Sequence, residues 1–139
     1  MTMMKRFLFL GILFLSGCAP SSPEEYCFEG EGAIRKIVEE CKKVHSKEDL
    51  LLERPKIKRN LMRLTDLMIA AKKFQMKNPE EEVTLNLSQA PSNQLKEEFL
   101  RIYKIEGCRE IMEEMERESL HKLDAFNQKT KFLYAQKKH

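Results

Sequence analysis

Apolar residues recur at steps of three and four along most of this chain, the spacing that lines up one face of an α-helix. Ile34, Ile37, Val38, Cys41, Val44 and His45 form a first stripe, which predicts a helix from Gly32 to Ser46. Ile57, Leu61, Leu64, Met68, Ala71 and Phe74 form a second. A third runs through Leu95, Phe99 and Ile102, slips phase near Gly107, and resumes through Ile105, Cys108, Met112, Met115, Ser119, Leu123 and Phe126, predicting helix past Leu133. Three stripes with no paired strands imply an all-α fold, roughly a three-helix bundle or a helical hairpin with a short N-terminal helix.

Residues that start or stop helices divide these stripes. Gly30 and Gly32 mark the entry to the first. Ser46 with Asp49 three residues later resembles a capping box, and Arg54-Pro55 predicts a restart, since proline disfavours helix in the residue before it. Asn78-Pro79 ends the second helix, and Ser92 or Asn93 is expected to cap the third. Gly107 costs about 1 kcal/mol in a helix relative to alanine, so a kink or a split into two helices is expected there. Between residues 79 and 93, Val83, Leu85 and Leu87 alternate like a strand. The expectation is an extended connection lying along a helix groove, with an edge strand that recruits another chain as the other reading.

Ahead of the stripes lies a different pattern. Lys5 and Arg6 precede an apolar run from Phe7 to Leu15, followed by Ser16, Gly17 and Cys18. Nine residues make about 14 Å of helix against a hydrocarbon core of about 30 Å, too short to span. The run, its basic flank and Leu15-Ser16-Gly17-Cys18 resemble a bacterial lipoprotein signal peptide with its lipobox. The resemblance implies removal of residues 1–17 and acylation of Cys18, several acyl chains holding the protein where one would let it dissociate. Residues 18–29, with Pro20, Ser21, Ser22 and Pro23, read as a flexible lipidated tether, leaving residues 30–139 as the helical domain. Ala19 does not resemble the aspartate that retains many lipoproteins in the inner membrane, so the expected location is the periplasmic side of the outer membrane.

Composition adds constraints rather than a partner. The chain has 25 basic and 22 acidic side chains, and loss of Lys5 and Arg6 with the leader leaves 23 against 22. Export commits the remaining cysteines to an oxidising compartment, which favours a disulfide between two of Cys27, Cys41 and Cys108. Cys41 and Cys108 lie on buried stripes, so their pairing is the expected one, closing about 67 residues for roughly 4.4 kcal/mol at most.

Charge is unevenly shared. From Arg54 to Lys77 eight basic residues face only Asp66, and from Glu106 to Glu118 six glutamates face Arg109 and Arg117. This predicts the basic second helix beside the acidic third as antiparallel neighbours.

Candidate chemistry is sparse. Cys41 and His45 at i and i+4 are half of a zinc site, and Glu118-x-x-His121 has the spacing of one arm of a di-iron bundle, but each lacks its further ligands. No catalytic, metal or cofactor-binding residue is assigned. Lys129, Lys131, Lys137 and Lys138 interleave with Phe132 and Tyr134. Export removes nucleic acid as a partner, and an anionic envelope surface is the functional candidate for that end.

The expected activity is therefore binding rather than catalysis: an envelope adaptor or assembly factor that meets a protein partner, similar in size and architecture to small helical pilotin lipoproteins. A structural link from membrane to cell wall is the alternative. It resembles the murein lipoprotein in joining a lipidated cysteine to helix, and departs from it in its broken stripe and in His139 following Lys137 and Lys138.

Overall fold

The computed structural model describes residues 20–81 and 89–137; the leader, Cys18, the Val83 to Leu87 alternation, Lys138 and His139 lie outside them. The described residues form four α-helices, here α1 (Pro23–Lys42), α2 (Lys47–Lys77), α3 (Gln89–Tyr103) and α4 (Arg109–Lys137), with no strand among them.

Helix α1 begins earlier than the glycines imply. Ser22 Oγ accepts from the Glu25 N–H at 3.3 Å, while the Glu25 carboxylate accepts from the Ser21 N–H at 2.6 Å. Pro23 occupies the first helical position, where it has no intrahelical N–H bond to lose. The tether thus ends before Pro23 rather than at residue 29, and Tyr26 is buried, its ring 5.5 Å from that of Phe74. Gly30 and Gly32 lie inside this helix. A Cβ at Gly32 would meet nothing within 4 Å, so Gly32→Ala should stabilise the protein by about 1 kcal/mol. Thermal unfolding should show a midpoint higher by about 4 °C; a lower one would mean the backbone there departs from helical geometry.

The same capping device starts α2. Ser46 Oγ accepts from the Asp49 N–H at 3.1 Å, and the Asp49 carboxylate accepts from the His45 N–H at 2.9 Å. The expected restart at Pro55 does not occur, because α2 runs through it. Proline there removes a bond to the Leu51 carbonyl, but Pro55 and Leu51 are both on the exposed side, where water can take that carbonyl. Leu50 and Ile57 meanwhile stay on one buried stripe. At the far end, Asn78 closes α2 by donating to the Phe74 carbonyl through both its backbone N–H and its side-chain amide.

Helix α3 starts at Gln89, ahead of Ser92 and Asn93, with the buried Pro91 in its first turn, where helical N–H groups have no partner to lose. The third stripe then splits at residues 104–108, where Gly107 takes a φ of +80°. A side chain there would be strained and would meet the Lys47 stem at 2.9 Å.

The helices alternate in direction. Tyr26 against Phe74 and Glu29 against Arg63 make α1 and α2 antiparallel. Helix α1 packs on α2 and α3, and α4 packs on the same two, giving the ring order α1, α2, α4, α3. In the centre lie Ile37, Cys41, Val44, Leu50, Ile57, Leu61, Ile102, Cys108, Met112 and Met115. His45, placed on the first stripe by spacing, is exposed.

Arg101 ties the corner where three helices meet. Its guanidinium donates to the carbonyls of Cys41 and Val44 at 2.8 and 2.7 Å and to the Glu98 carboxylate at 2.7 Å. A cation at the carbonyl end of α1 satisfies acceptors the helix leaves open and complements its dipole. Removing it in Arg101→Ala should destabilise the domain by about 2 kcal/mol, read as a lower denaturant midpoint at unchanged slope.

Candidate functional site

The seam between α2 and α4 is held by the charges the sequence places there. Arg54 meets Glu114 at 3.3 Å, Lys58 meets Glu118 at 2.6 Å, Lys122 meets Asp66, and Lys72 donates to Asn127 at 2.7 Å. Both sets of numbers rise together, so the basic and acidic helices are parallel neighbours, not antiparallel ones. The split at Gly107 is the reason: α3 adds a reversal, and α4 leaves it running in the direction of α2. Lys58 holds the Glu118 carboxyl below the usual carboxylate range, so this side chain serves the seam.

Beyond Glu118 the seam opens into a depression of about 390 Å³, lined by Lys72, Gln75 and Met76 of α2 and Phe126, Asn127, Thr130 and Lys131 of α4. The Lys73 ammonium sits 5.8 Å from the centre of the Phe126 ring, a cation–π distance. Past it every residue of α4 from 131 to 137 is exposed. Phe132, Leu133 and Tyr134 are consecutive and so span about 200° of the helix circumference. All three are exposed, and they follow the point where Lys72 of α2 reaches Asn127.

Topology puts the starts of α1 and α3, the end of α2 and the end of α4 at one pole of the bundle. The opposite pole holds the α1–α2 turn and the 104–108 turn, and there Leu51, Leu52 and Leu100 are exposed, Leu52 by 77%. Spacing alone identified the aromatic-basic end but offered no sign that the tether joins it.

The other candidate groups do not converge. Cys41 is fully buried and His45 exposed, so the pair at i and i+4 points two ways. His121 opens onto a trough on the outer side of α4, beside Arg117 and Asp124, while Glu118 turns to Lys58. No group of three or more His, Cys, Asp or Glu side chains able to hold a metal is present among the described residues. Cys41 and Cys108, the pair expected to bridge, share the core cluster and are free thiols in this structure. Burial pushes both thiols up, Cys41 to about 12, with the Glu98 charge adding to it.

Two polar pairs that sequence spacing does not reveal lock helices together. The Tyr103 hydroxyl donates to Glu116 across the α3–α4 turn, and burial, then that carboxylate, raise its pKa. At the α1–α2 corner Glu40 faces Glu53, whose Oε2 is buried without a partner as long as both carboxyls are ionised. A proton on Glu53 lets it donate to Glu40, which raises Glu53 and lowers Glu40. The raised group contributes stability at low pH that is lost as pH climbs through its folded value; the lowered one contributes above the ordinary range and loses it as pH falls. Glu53→Gln supplies the donor without a proton, so it should stabilise by about 1 kcal/mol at neutral pH and progressively less below the raised Glu53 pKa. Unfolding midpoints of both proteins across that range check this; an equal gain at all pH values would rule out the shared proton.

No helix among the described residues is long and apolar enough to cross a membrane. Compared with known proteins, the chain matches no family model, no curated sequence and no solved structure.

Proposed function

We propose that this chain is a lipoprotein of the bacterial envelope, anchored through acyl chains on Cys18 at the periplasmic side of the outer membrane, that acts as an adaptor or assembly factor by binding another protein. The observation that carries the binding role is the exposure of Leu51, Leu52 and Leu100 at the pole away from the tether, beyond a core already filled by other residues. Leu51 and Leu52 are adjacent in the chain, and large apolar side chains left in water at one pole mark a candidate interaction surface. Arg54, Lys58 and Asp66 of α2 and Glu114, Glu118 and Lys122 of α4 are engaged in holding the seam.

A rod linking membrane to cell wall is less well supported. Four helices folded back on one another are as long as the longest of them, about 46 Å for the 31 residues of α2, whereas a linker gains from stacking its helices end to end.

Photo-crosslinking in cells tests the reading. A photoreactive residue at position 52 should give a discrete protein adduct that a probe at the exposed Lys36 does not, and Leu51→Glu with Leu100→Glu should abolish it. Identical adducts from both positions, or none from 52, would overturn the binding pole.

A further inference from the structure

We infer that the exposed end of α4 is a second membrane attachment, an interfacial element that takes the anionic phospholipid surface beside the lipid anchor. The inference rests on the anchor proposed above for its geometry and on separate observations for its chemistry.

Geometry comes first. Five residue steps lead from Cys18 to Pro23, and at about 3.5 Å each they let the pole where α1 begins rise no more than about 17 Å from an acylated cysteine. The same pole carries the free end of α4, since Tyr26 touches Phe74 while Lys72 reaches Asn127. An anchor at Cys18 therefore keeps this end within reach of the bilayer surface.

Chemistry matches what is met there. Between residues 125 and 137 α4 has Lys129, Lys131 and Lys137 and no acidic residue, and none of the three lysines is in an ion pair among the described residues. The same pole also carries carboxylates, Glu24 and Glu25 in the first turn of α1 and Glu80 and Glu81 just past α2, and Asp124 on α4 precedes the basic stretch. Phe132 and Tyr134, exposed by 64% and 53%, supply aromatic bodies suited to the headgroup boundary. Lysines beside an anionic leaflet attract it by an amount that multiplies affinity several-fold each. A protein partner at this end would face competition from the membrane only a tether's length away.

The chain has no tryptophan, so a single introduced one reports its own surroundings. The full lipid-modified protein with Phe132→Trp, and separately with Tyr134→Trp, is reconstituted with vesicles of phosphatidylcholine alone or with phosphatidylglycerol, each doped with brominated lipid. The expected result is blue-shifted emission quenched by bromine in the anionic vesicles. Quenching should be weak in the neutral ones and lost at high salt. Lys129→Gln, Lys131→Gln and Lys137→Gln together should weaken docking about a hundredfold. Leu52→Trp should stay unquenched throughout.

Water-like, unquenched emission from both the Phe132→Trp and the Tyr134→Trp protein, each floating with anionic vesicles, would overturn the second attachment and leave the anchor standing. Flotation only with anionic vesicles, reversed by salt, would support the attachment and overturn the anchor. Protein that floats with neither, or quenching equal at positions 52 and 132, would overturn the attachment.

Discussion

Cys18→Ala is expected to move the protein from the membrane fraction to the soluble one under ordinary salt. The substitution removes the sulfur that would accept the first acyl chains, and so the acylation on which the anchor depends. Each buried methylene contributes about 0.8 kcal/mol, so losing even one chain changes the membrane partition by many orders of magnitude. No described helix is long and apolar enough to cross a bilayer. The basic end of α4 would hold the variant only on anionic lipid and only at low salt, because lysine attraction is screened within about 8 Å at physiological ionic strength. Fractionation with and without added salt separates the two contributions. Retention of Cys18→Ala at high salt without detergent would mean that something other than the cysteine anchors the chain.

Much of the fold is legible because burial is periodic. Ile34, Ile37, Cys41, Ile57, Met112 and Met115 all sit on stripes readable at steps of three and four, and all are buried. Helix ends are less legible where one residue carries two meanings. Ser22-Pro23-Glu24-Glu25 reads as a linker if its proline counts as a breaker, and as a capping box if the proline is at the first helical position; only the packing of Tyr26 on Phe74 decides between them. Pro55 errs in the other direction, since the burial of Leu50 and Ile57 on both sides outweighs one lost hydrogen bond.

Pairings between distant elements were legible in kind but not in direction. The charge imbalance identifies the partner of α2, because six glutamates and eight basic residues have few other places to go. Whether the two run parallel depends on how many reversals lie between them, and that turns on one glycine at φ +80°. Arg101 was not legible at all: its carbonyl acceptors are 57 and 60 residues away, and no composition rule singles out one arginine among several as the cap of another helix. The coincidence of tether and basic end at one pole is likewise a consequence of topology, which no local pattern records.

Cys41 and Cys108 are expected to resist alkylation in the folded protein by at least a thousandfold relative to an unhindered thiol. Two effects act together at Cys41. Only the thiolate reacts, and a thiol held at about 12 instead of its ordinary 9 has about a thousandth of the thiolate at neutral pH. Both side chains are also fully buried in the central cluster, so the reagent must wait for an opening that exposes the core, an event of several kcal/mol in a domain of this size. Cys27, partly exposed on α1, should react without that delay and serves as the internal reference. Mass spectrometry of protein labelled in buffer and then in denaturant, with no reductant at any stage, reads the outcome by site. Labelling of Cys41 and Cys108 on unfolding is the expected result and identifies them as thiols. If both stay unlabelled in denaturant until a reductant is added, they are joined in the exported protein, and the pairing expected from their shared burial is restored. Rapid labelling of either in buffer would mean that α1 or the start of α4 opens locally, and that the core centred on Ile37 and Met112 is looser than its burial implies.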